Sequence, residues 1–331
     1  MTRSVDYFTG LIVFLCSSFA AANDLQQSQI DWTVKEVKQI TNNIRASQSL
    51  KPKHWPNNSK AAVLLSFDVD NETLVLRGDK SKIQEGPLSS AEYGANVGMA
   101  RIIPVLKNNN IPVTFFIPAM MLDIHPETIT QIQKLKDFEV GIHGWIHEVN
   151  SLLPSYDVEK ALIEKSIDKV SKAFGKVPVG YRAPSWNFSP YTLEVIKESG
   201  FLYDSSLMAS DDPYELCQRS SSGKSIPSGM LELPVSWILD DYPWLEPASG
   251  KYSPPREVLQ VYKDEFDRAY AEGGVFSLTM HPHVIGRRSR ILILEQLVEH
   301  MVSKGDVWFA THADAANYIR QETSASIVCP Q

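Results

Sequence analysis

The sequence predicts an α/β fold in which a mostly parallel sheet closes into a barrel. Strand and helix patterns alternate about seven times along the 331-residue chain, and this alternation is typical of parallel sheets covered by helices. The alternating part occupies roughly 270 residues, the size of one barrel rather than of two domains. An open, doubly wound sheet is the alternative, although the chain contains no GxGxxG or Walker motif that would favour nucleotide binding.

Compact apolar runs, rich in β-branched and aromatic residues, predict the strands. The run 61–67 has the sequence AAVLLSF, which is typical of a strand buried on both faces. By the same criterion we predict strands at 111–118, 138–142, 177–182, 201–204, 230–237, 275–280 and 307–310.

Helices are predicted between these strands, where apolar residues recur at helical spacing. Proline begins several of them and glycine follows their ends, as at Pro126 and Gly175, because proline suits the first turn and glycine the C-cap. The predicted helices are 91–109, 126–136, 157–174, 189–199, 255–272, 290–304 and 312–322.

The bulk composition is that of a globular protein and excludes one class of partner. Hydrophobic residues make up 43% and charged residues 21% of the sequence, an ordinary balance for a folded domain. The formal net charge of −7 argues against a general nucleic-acid binder, because such a protein needs a basic face. No nucleic-acid partner is therefore expected.

Residues 1–22 have the pattern of a signal peptide. Arg3 precedes a short apolar stretch that ends in small residues, with Ala20 and Ala22 in the small-x-small cleavage pattern. The stretch is too short to span a bilayer, so we expect export to the periplasm or the cell exterior and no membrane span. An ordinary N-terminal arm is the alternative. We further predict a helical lead-in at 23–60, the main domain at 61–322 and a C-terminal tail at 323–331.

The cysteines leave two arrangements open. Cleavage of the signal peptide would remove Cys16 and leave Cys217 and Cys329. In an oxidising compartment these two can form a disulfide that ties the C-terminal tail to a loop, and two unpaired thiols are the alternative. A thiolate zinc site is not indicated, because the chain has no CxxC motif.

Ionisable side chains lie at the ends of five predicted strands. They are Asp68 and Asp70, His143 and His147, Arg182, Asp240 and Asp241, and His281 and His283. The carboxyl ends of parallel strands meet at one rim, where the active sites of such folds form. We therefore expect these side chains to share one site.

A metal site is predicted from Asp70, His143 and His147. Histidines spaced i and i+4 can meet on one face of a helix and bind the same metal ion. With one carboxylate they make three ligands and leave a position open for water, as in catalytic rather than structural zinc sites. Taken alone, each motif has an ordinary structural explanation, since histidine pairs occur by chance on helix surfaces and aspartates cap loops.

Other polar residues of the rim suit acid–base catalysis. Asp68 directly follows a buried strand, where a carboxylate needs a partner, and can act as general base. Arg182 can orient a carboxylate through a two-pronged hydrogen bond. His281 is the candidate general acid, because the ordinary pKa of histidine lies near neutrality.

Aromatic residues near these motifs are candidates for sugar binding. Trp186 can stack on a sugar or wall the pocket, and the long loop 239–253 carries Tyr242, Trp244 and Tyr252. The alternative is that these rings pack against the barrel or against a neighbouring subunit.

Taken in order, these motifs resemble those of the polysaccharide-deacetylase (NodB-homology, carbohydrate esterase 4) family. Residues 67–70, FDVD, are similar to the family's first motif, and 143–147 to its HxxxH motif. The segments 182–186, RAPSW, and 278–282, LTMHP, are similar to its RxPxW-type and LxxHP motifs. The resemblance covers residues 61–318 and implies a distorted (β/α)7 barrel.

Finer features are similar to a subgroup of peptidoglycan deacetylase-like proteins, allantoinase-like proteins and cyclic-imide hydrolases. The aspartates of the first motif are spaced Asp-x-Asp rather than adjacent. Further similarities lie at 92–94, 203–206, 233–237 and 281–287. Members of this subgroup tend to be oligomers, so a homo-oligomer is implied. The candidates for substrate contact are Trp186, Trp237, Asp240, Trp244, Glu92 and Tyr93.

The resemblance also implies a role for each residue of the rim. The implied ligands of Zn²⁺, or of another divalent cation, are Asp70, His143 and His147. The implied catalytic residues are Asp68 as base, Arg182 as its orienting partner and His281 as acid. The implied reaction is the removal of N-acetyl groups from an N-acetylated glycan substrate such as peptidoglycan or a chitin-like polymer.

Three other functions fit the same residues. A cyclic amide hydrolase could open an imide or allantoin-like ring with the same metal and acid–base pair. A carbohydrate O-deacetylase would use the same chemistry, and a non-catalytic carbohydrate-binding protein could keep the same barrel. Export favours a polymer substrate, and a binding protein would not need Asp68 and His281 together.

Overall fold

Ten strands form one sheet in the computed structural model, which describes residues 32–246, 252–323 and 326–331. The strands are β1 (Ile44–Ser49), β2 (Ala61–Asp68), β3 (Val113–Ile117), β4 (Phe138–Ile142), β5 (Gly180–Tyr181), β6 (Tyr203–Asp204), β7 (Tyr214–Arg219), β8 (Ser225–Glu232), β9 (Val275–Met280) and β10 (Val307–Ala310).

The α-helices of the described residues lie mostly between consecutive strands. They are α1 (Val34–Thr41), α2 (Thr73–Leu76), α3 (Glu85–Tyr93), α4 (Met99–Asn108), α5 (Met121–Ile124), α6 (Glu127–Ile132), α7 (Tyr156–Phe174), α8 (Thr192–Glu198), α9 (Asp241–Leu245), α10 (Pro255–Glu272), α11 (Pro282–Ile285), α12 (Ile291–Val302) and α13 (His312–Glu322). None of these helices has the length and apolar character needed to cross a membrane.

Strand β2 lies at the centre of the barrel wall and is paired on both sides. Phe67 is paired in parallel with Phe115 of β3 on one side and with Met280 of β9 on the other. From β3 the parallel pairing continues through β4, β5 and β6 to β8. An isolated parallel bridge between Asp240 and Thr279 then closes the ring from β8 to β9. These parallel strands form a distorted seven-stranded barrel, so the predicted fold class is confirmed.

The lead-in predicted to be helical contains both a helix and a strand. Helix α1 begins after Thr33, which forms a reciprocal capping box with Glu36. Asn42 ends α1, and Ile44, which the helical spacing included, begins β1 antiparallel to β7. Strand β1 forms because β7 offers its edge, a long-range pairing that local spacing does not contain. The predicted signal peptide and residues 23–31 lie outside the described residues.

A π-helical turn, Gly94–Gly98, interrupts the helix that the sequence predicts at 91–109. Gly98 packs against the segment that follows β9, and a Cβ at this position would lie 2.2 Å from the carbonyl oxygen of Pro282. Only glycine permits this approach. The turn therefore holds the segment after β9, which begins with His281, close against the barrel.

A disulfide joins Cys217 of β7 to Cys329 in the C-terminal tail, with 5.8 Å between the two Cα atoms. Of the two arrangements left open by the sequence, the bonded one is therefore present. The bond links positions 112 residues apart and fixes the tail against the antiparallel part of the sheet.

Removing this disulfide should lower the free energy of unfolding. The Cys217→Ser/Cys329→Ser double variant is expected to lose about 2–5 kcal/mol, because a crosslink that closes so long a loop constrains the unfolded chain. Urea denaturation of the variant and of the oxidised wild type measures the difference, and reduced wild type is the control that should match the variant. Equal midpoints for oxidised wild type and variant would contradict the expectation.

Candidate active site

The carboxyl ends of the parallel strands bring the predicted site residues to one rim. Strand β2 ends at Asp68, while His143, Arg182 and His281 directly follow β4, β5 and β9. All four side chains are buried. The alternating pattern of strands and helices is thus sufficient to gather them, as parallel α/β folds do at this end of the sheet.

The side chains of Asp70, His143 and His147 can hold a metal ion. Their ligand atoms lie within 4.8 Å of one another, and all three residues are buried. Nε2 of His143 lies 3.5 Å from Asp70 Oδ1, and Nε2 of His147 lies 3.4 Å from Asp70 Oδ2. Asp70 Oδ1 has no hydrogen-bond partner among the described residues. A buried carboxylate oxygen is rarely left without a partner, so the donor set fits a divalent cation.

The two histidines converge through an irregular loop, so the predicted helical face is wrong. Gly144 has φ +76° and His147 φ +57°, both in the left-handed region. The Glu148 carboxylate accepts from the backbone N–H groups of Trp145 and Ile146 and holds the loop. Positive φ angles are incompatible with a right-handed α-helix, so the two histidines do not share a helical face.

The hydrogen bond of His143 fixes which ring nitrogen faces Asp70. Its Nδ1 lies 2.7 Å from the carbonyl oxygen of Arg182, which can only accept, so Nδ1 carries the proton. The lone pair of Nε2 is then available to a metal ion, an arrangement common among metal-binding histidines. Burial holds the pKa of His147 well below its ordinary value, which keeps the His147 ring neutral.

Asp68 is paired with the buried guanidinium of Arg182. Nη1 of Arg182 donates to Asp68 Oδ1 at 2.7 Å and to Ser66 Oγ at 2.8 Å, and Nε donates to the carbonyl oxygen of Ser205. Burial raises the pKa of Asp68, but the nearby positive charges, Arg182 first, outweigh it and hold the pKa below its ordinary value. Asp68 is therefore ionised, as a general base requires.

His281 is held by an aspartate whose role the sequence did not assign. The Asp241 carboxylate accepts from Nδ1 of His281 at 2.7 Å and from its backbone N–H at 3.0 Å. Burial lowers the pKa of His281, but Asp241 and Asp240 outweigh it and hold the pKa well above its ordinary value. His281 is therefore protonated near neutrality, as a general acid requires. Burial raises the pKa of Asp240 to about 7.

The Asp241→Asn variant should shift the pH dependence of activity. Asparagine has a similar shape and keeps one acceptor oxygen for the ring of His281, but it loses the second acceptor and the charge that raises the pKa of His281. The acid then loses its proton at lower pH, so the alkaline limb of kcat/KM should move to lower pH. The exposed Asp211→Asn variant makes the same charge change elsewhere and should leave that limb in place. An unmoved limb in Asp241→Asn would contradict the role of this carboxylate.

A cavity of about 170 Å³ opens beside these groups. Of the predicted site residues it is lined by Asp68, Asp70, His143, His147, Trp186, Trp237, Asp240 and His281. The rings of Trp186 and Trp237 stack with centroids 4.3 Å apart, and Trp237 is half exposed. The two indoles therefore form one wall of the cavity. Tyr242, one of the aromatic candidates of the loop 239–253, also lines it, as do Arg77 and Ser185, which the sequence did not single out.

Other predicted site residues lie outside the cavity lining. Arg182 contacts Asp68 from within the barrel. The Tyr93 hydroxyl accepts from Arg101, and the Trp244 indole donates to the carbonyl oxygen of Ile238. Like these, Glu92 does not line the cavity. Their proximity to the motifs in sequence did not indicate where their side chains point.

Together, the ligand set and the two acid–base pairs at the strand ends of a parallel barrel are typical of a hydrolase. The family model for polysaccharide deacetylase matches residues 86–203, which include His143, His147 and Arg182. Sequence and geometry therefore lead to the same class of enzyme.

Similar proteins establish the family. The peptidoglycan deacetylase of Helicobacter pylori is 30% identical over 281 residues, 77% of this chain and 95% of that protein. A Mycobacterium smegmatis crystal structure, described as a polysaccharide deacetylase, is 32% identical, with a TM-score of 0.76 over 86% of this chain and 99% of that one. An allantoinase structure, 24% identical over 83% of this chain and 95% of its own, shares the fold with a TM-score of 0.72. The chain belongs to the polysaccharide deacetylase family, hydrolases of carbon–nitrogen bonds other than peptide bonds.

Proposed function

We propose that this enzyme removes N-acetyl groups from a peptidoglycan-type glycan outside the cytoplasm, with Zn²⁺ or another divalent cation as cofactor. The observation that carries the proposal is the buried set of Asp70, His143 and His147 with an unpartnered carboxylate oxygen. The name of the Helicobacter pylori relative supports peptidoglycan as the substrate. The disulfide between Cys217 and Cys329 supports an oxidising compartment, in agreement with the predicted signal peptide.

The residues of the site divide the reaction between them. A divalent cation on the three ligands would polarise the amide carbonyl and lower the pKa of a water molecule. Asp68, ionised and oriented by Arg182, takes a proton from the attacking water. His281, held protonated by Asp241, gives a proton to the leaving amine, so acetate and a free glucosamine unit are released.

The size of the cavity supports binding of the end of a larger substrate. About 170 Å³ is less than the roughly 300 Å³ at which pockets begin to enclose a drug-sized ligand. An acetamido group enters such a space, while the sugar rings remain outside. The exposed face of Trp237 offers a surface for those rings at the cavity wall.

The test is acetate release from purified peptidoglycan by the zinc-loaded protein, with a chelator-treated sample as control. Release that stops on chelation and returns with zinc supports both the reaction and the metal requirement. A metal-bound preparation that releases no acetate from peptidoglycan or from chitin-like oligomers would refute the proposal. Light scattering of the same preparation tests the homo-oligomer that the family resemblance implies.

The small cavity also favours one alternative, hydrolysis of a cyclic amide. A ring of the size of an imide or allantoin would fit within about 170 Å³ without a surface outside it. The same base and acid could open such a ring. Ring-opening measured with allantoin and succinimide, alongside the acetate assay, distinguishes the two activities.

A further inference from the structure

One cation beside the cavity has no carboxylate partner among the described residues. Arg77 follows α2 and lines the cavity. Its Nη1 donates to Ser185 Oγ at 2.8 Å and lies 3.0 Å from Nδ1 of His147. These contacts use one nitrogen of the guanidinium and leave the N–H groups of the others available to a ligand.

The acidic side chains nearby already have partners of their own. Asp68 is paired with Arg182, and Asp70 faces three histidine rings. The aspartates that follow β8 face His281. Arg77 therefore contributes a positive charge to the cavity without an ion pair to any described carboxylate, although its charge still acts on Asp70.

The backbone beside Arg77 is held in an unfavourable conformation. Ser185 has φ +53° and Trp186 φ +54°, two consecutive non-glycine residues in the left-handed region. This conformation brings Ser185 Oγ to Arg77 and the Trp186 ring onto Trp237. Strain of this kind is concentrated at functional sites. Because Ser185 Oγ accepts from Arg77, its own proton is free to donate to the same ligand.

Binding of a metal ion by His147 would remove the hydrogen bond between this ring and Arg77. Arginine only donates, so the Nδ1 that it contacts carries a lone pair in this structure. A ring that gives its Nε2 lone pair to a metal carries its proton on Nδ1 and cannot accept from Arg77. With a metal ion on Nε2 of His147, Ser185 would be the side chain that still accepts from the guanidinium.

We propose that Arg77 and Ser185 form an anion subsite that binds a carboxylate of the N-acetylated substrate, an inference that rests on the proposed deacetylation. Guanidinium groups bind carboxylates through paired, charge-assisted hydrogen bonds. Arg77 lies one imidazole ring away from the metal-ligand atoms, so the carboxylate belongs to the sugar that carries the reacting amide or to a peptide attached to it. A chitin-like glycan carries neither a carboxylate on its sugars nor an attached peptide, so the subsite selects acidic glycans.

Matched substrates test the subsite with the wild-type protein alone. The first is a glycan oligomer whose N-acetyl sugars carry a lactyl ether with a free carboxylate, and the second is its methyl ester. The third is the same oligomer with a stem peptide on the lactyl group, and the fourth is chitotetraose. We expect kcat/KM for the best carboxylate-bearing oligomer to exceed that for the ester by about 10- to 100-fold. The preference should weaken as salt is added.

Two variants separate the charge of Arg77 from its packing. Arg77→Met, at saturating zinc, should raise KM for the preferred acidic oligomer about 10- to 100-fold more than KM for the ester or chitotetraose, so that the preference for the acid over the ester is lost. Lys80→Met is the matched control, since Lys80 is an exposed cation three residues along the chain, and it should change none of these constants. A purely structural role for Arg77 would instead lower the activity on all four substrates together.

The substrate preference of the wild-type protein decides which carboxylate, if any, the subsite binds. A preference for the free lactyl acid assigns the carboxylate to the sugar substituent, and a preference for the stem-peptide oligomer assigns it to the peptide; both support the subsite. Equal kcat/KM for the ester and both carboxylate-bearing oligomers in the wild type overturns the subsite and leaves the deacetylase intact. Absence of acetate release from all four substrates refutes the proposed function itself.

Discussion

Asp68→Asn should lower kcat by roughly 10²–10⁴-fold, the usual contribution of a positioned general base. The amide oxygen of asparagine can still accept from Nη1 of Arg182, so the side chain stays in place while it loses the ability to take a proton. Steady-state acetate release by variant and wild type, both loaded with zinc, measures the effect.

Two controls keep this result interpretable. Asp70, His143 and His147 are unchanged in Asp68→Asn, so elemental analysis should find wild-type zinc content. The variant leaves the buried Arg182 without its counter-ion, and breaking such a pair costs about 3–5 kcal/mol of stability. Activity should therefore be measured well below the melting transition of the variant. Near-normal kcat under these conditions would remove Asp68 from the role of base.

His143→Gln should prevent the protein from retaining zinc. Loss of an outer-shell partner alone lowers metal affinity 10- to 100-fold, so loss of a ligand should lower it by at least about 100-fold. Elemental analysis after dialysis against a weak chelator measures retained zinc directly, and acetate release should be lost in parallel.

A second histidine provides the matched control. His300 on α12 contacts Asp267 and does not line the cavity. His300→Gln should retain zinc and activity. Wild-type zinc content in His143→Gln would show that zinc binds through other ligands.

The rim of the barrel could be predicted because two local signals agree there. Each of the apolar runs 61–67, 138–142 and 275–280 ends at ionisable residues, and strand–helix alternation places the carboxyl ends of parallel strands together. The inference needs only the order of the elements. The order of the elements therefore predicts that Asp68, His143 and His281 lie together, without knowledge of any contact between them.

Features that depend on long-range contacts could not be predicted. The run 177–182 was expected to form a strand, but β5 has only two residues. Only Tyr181 pairs with β4, and only Gly180 and Tyr181 pair with β6. One local feature was also missed: the conformation of His147 depends on the bonds of Glu148 to the backbone two and three residues before it, whereas i, i+4 spacing alone favoured a helix. Arg77 carries no motif and reaches the cavity only through the fold.

The isolated bridge between Asp240 and Thr279 has a consequence for local stability. Next to this bridge, the seam of the barrel, the Asp241 carboxylate accepts hydrogen bonds from the backbone and the ring of His281. The two segments are thus linked there by a side chain, whereas neighbouring strands elsewhere in the barrel are linked by backbone hydrogen bonds. Opening of the seam should therefore need less free energy than opening of β2, whose residues are paired on both sides. Amide hydrogen exchange at His281, whose N–H donates to Asp241, would then report the integrity of the acid pair, and any ligand that tightens the pair would slow that exchange.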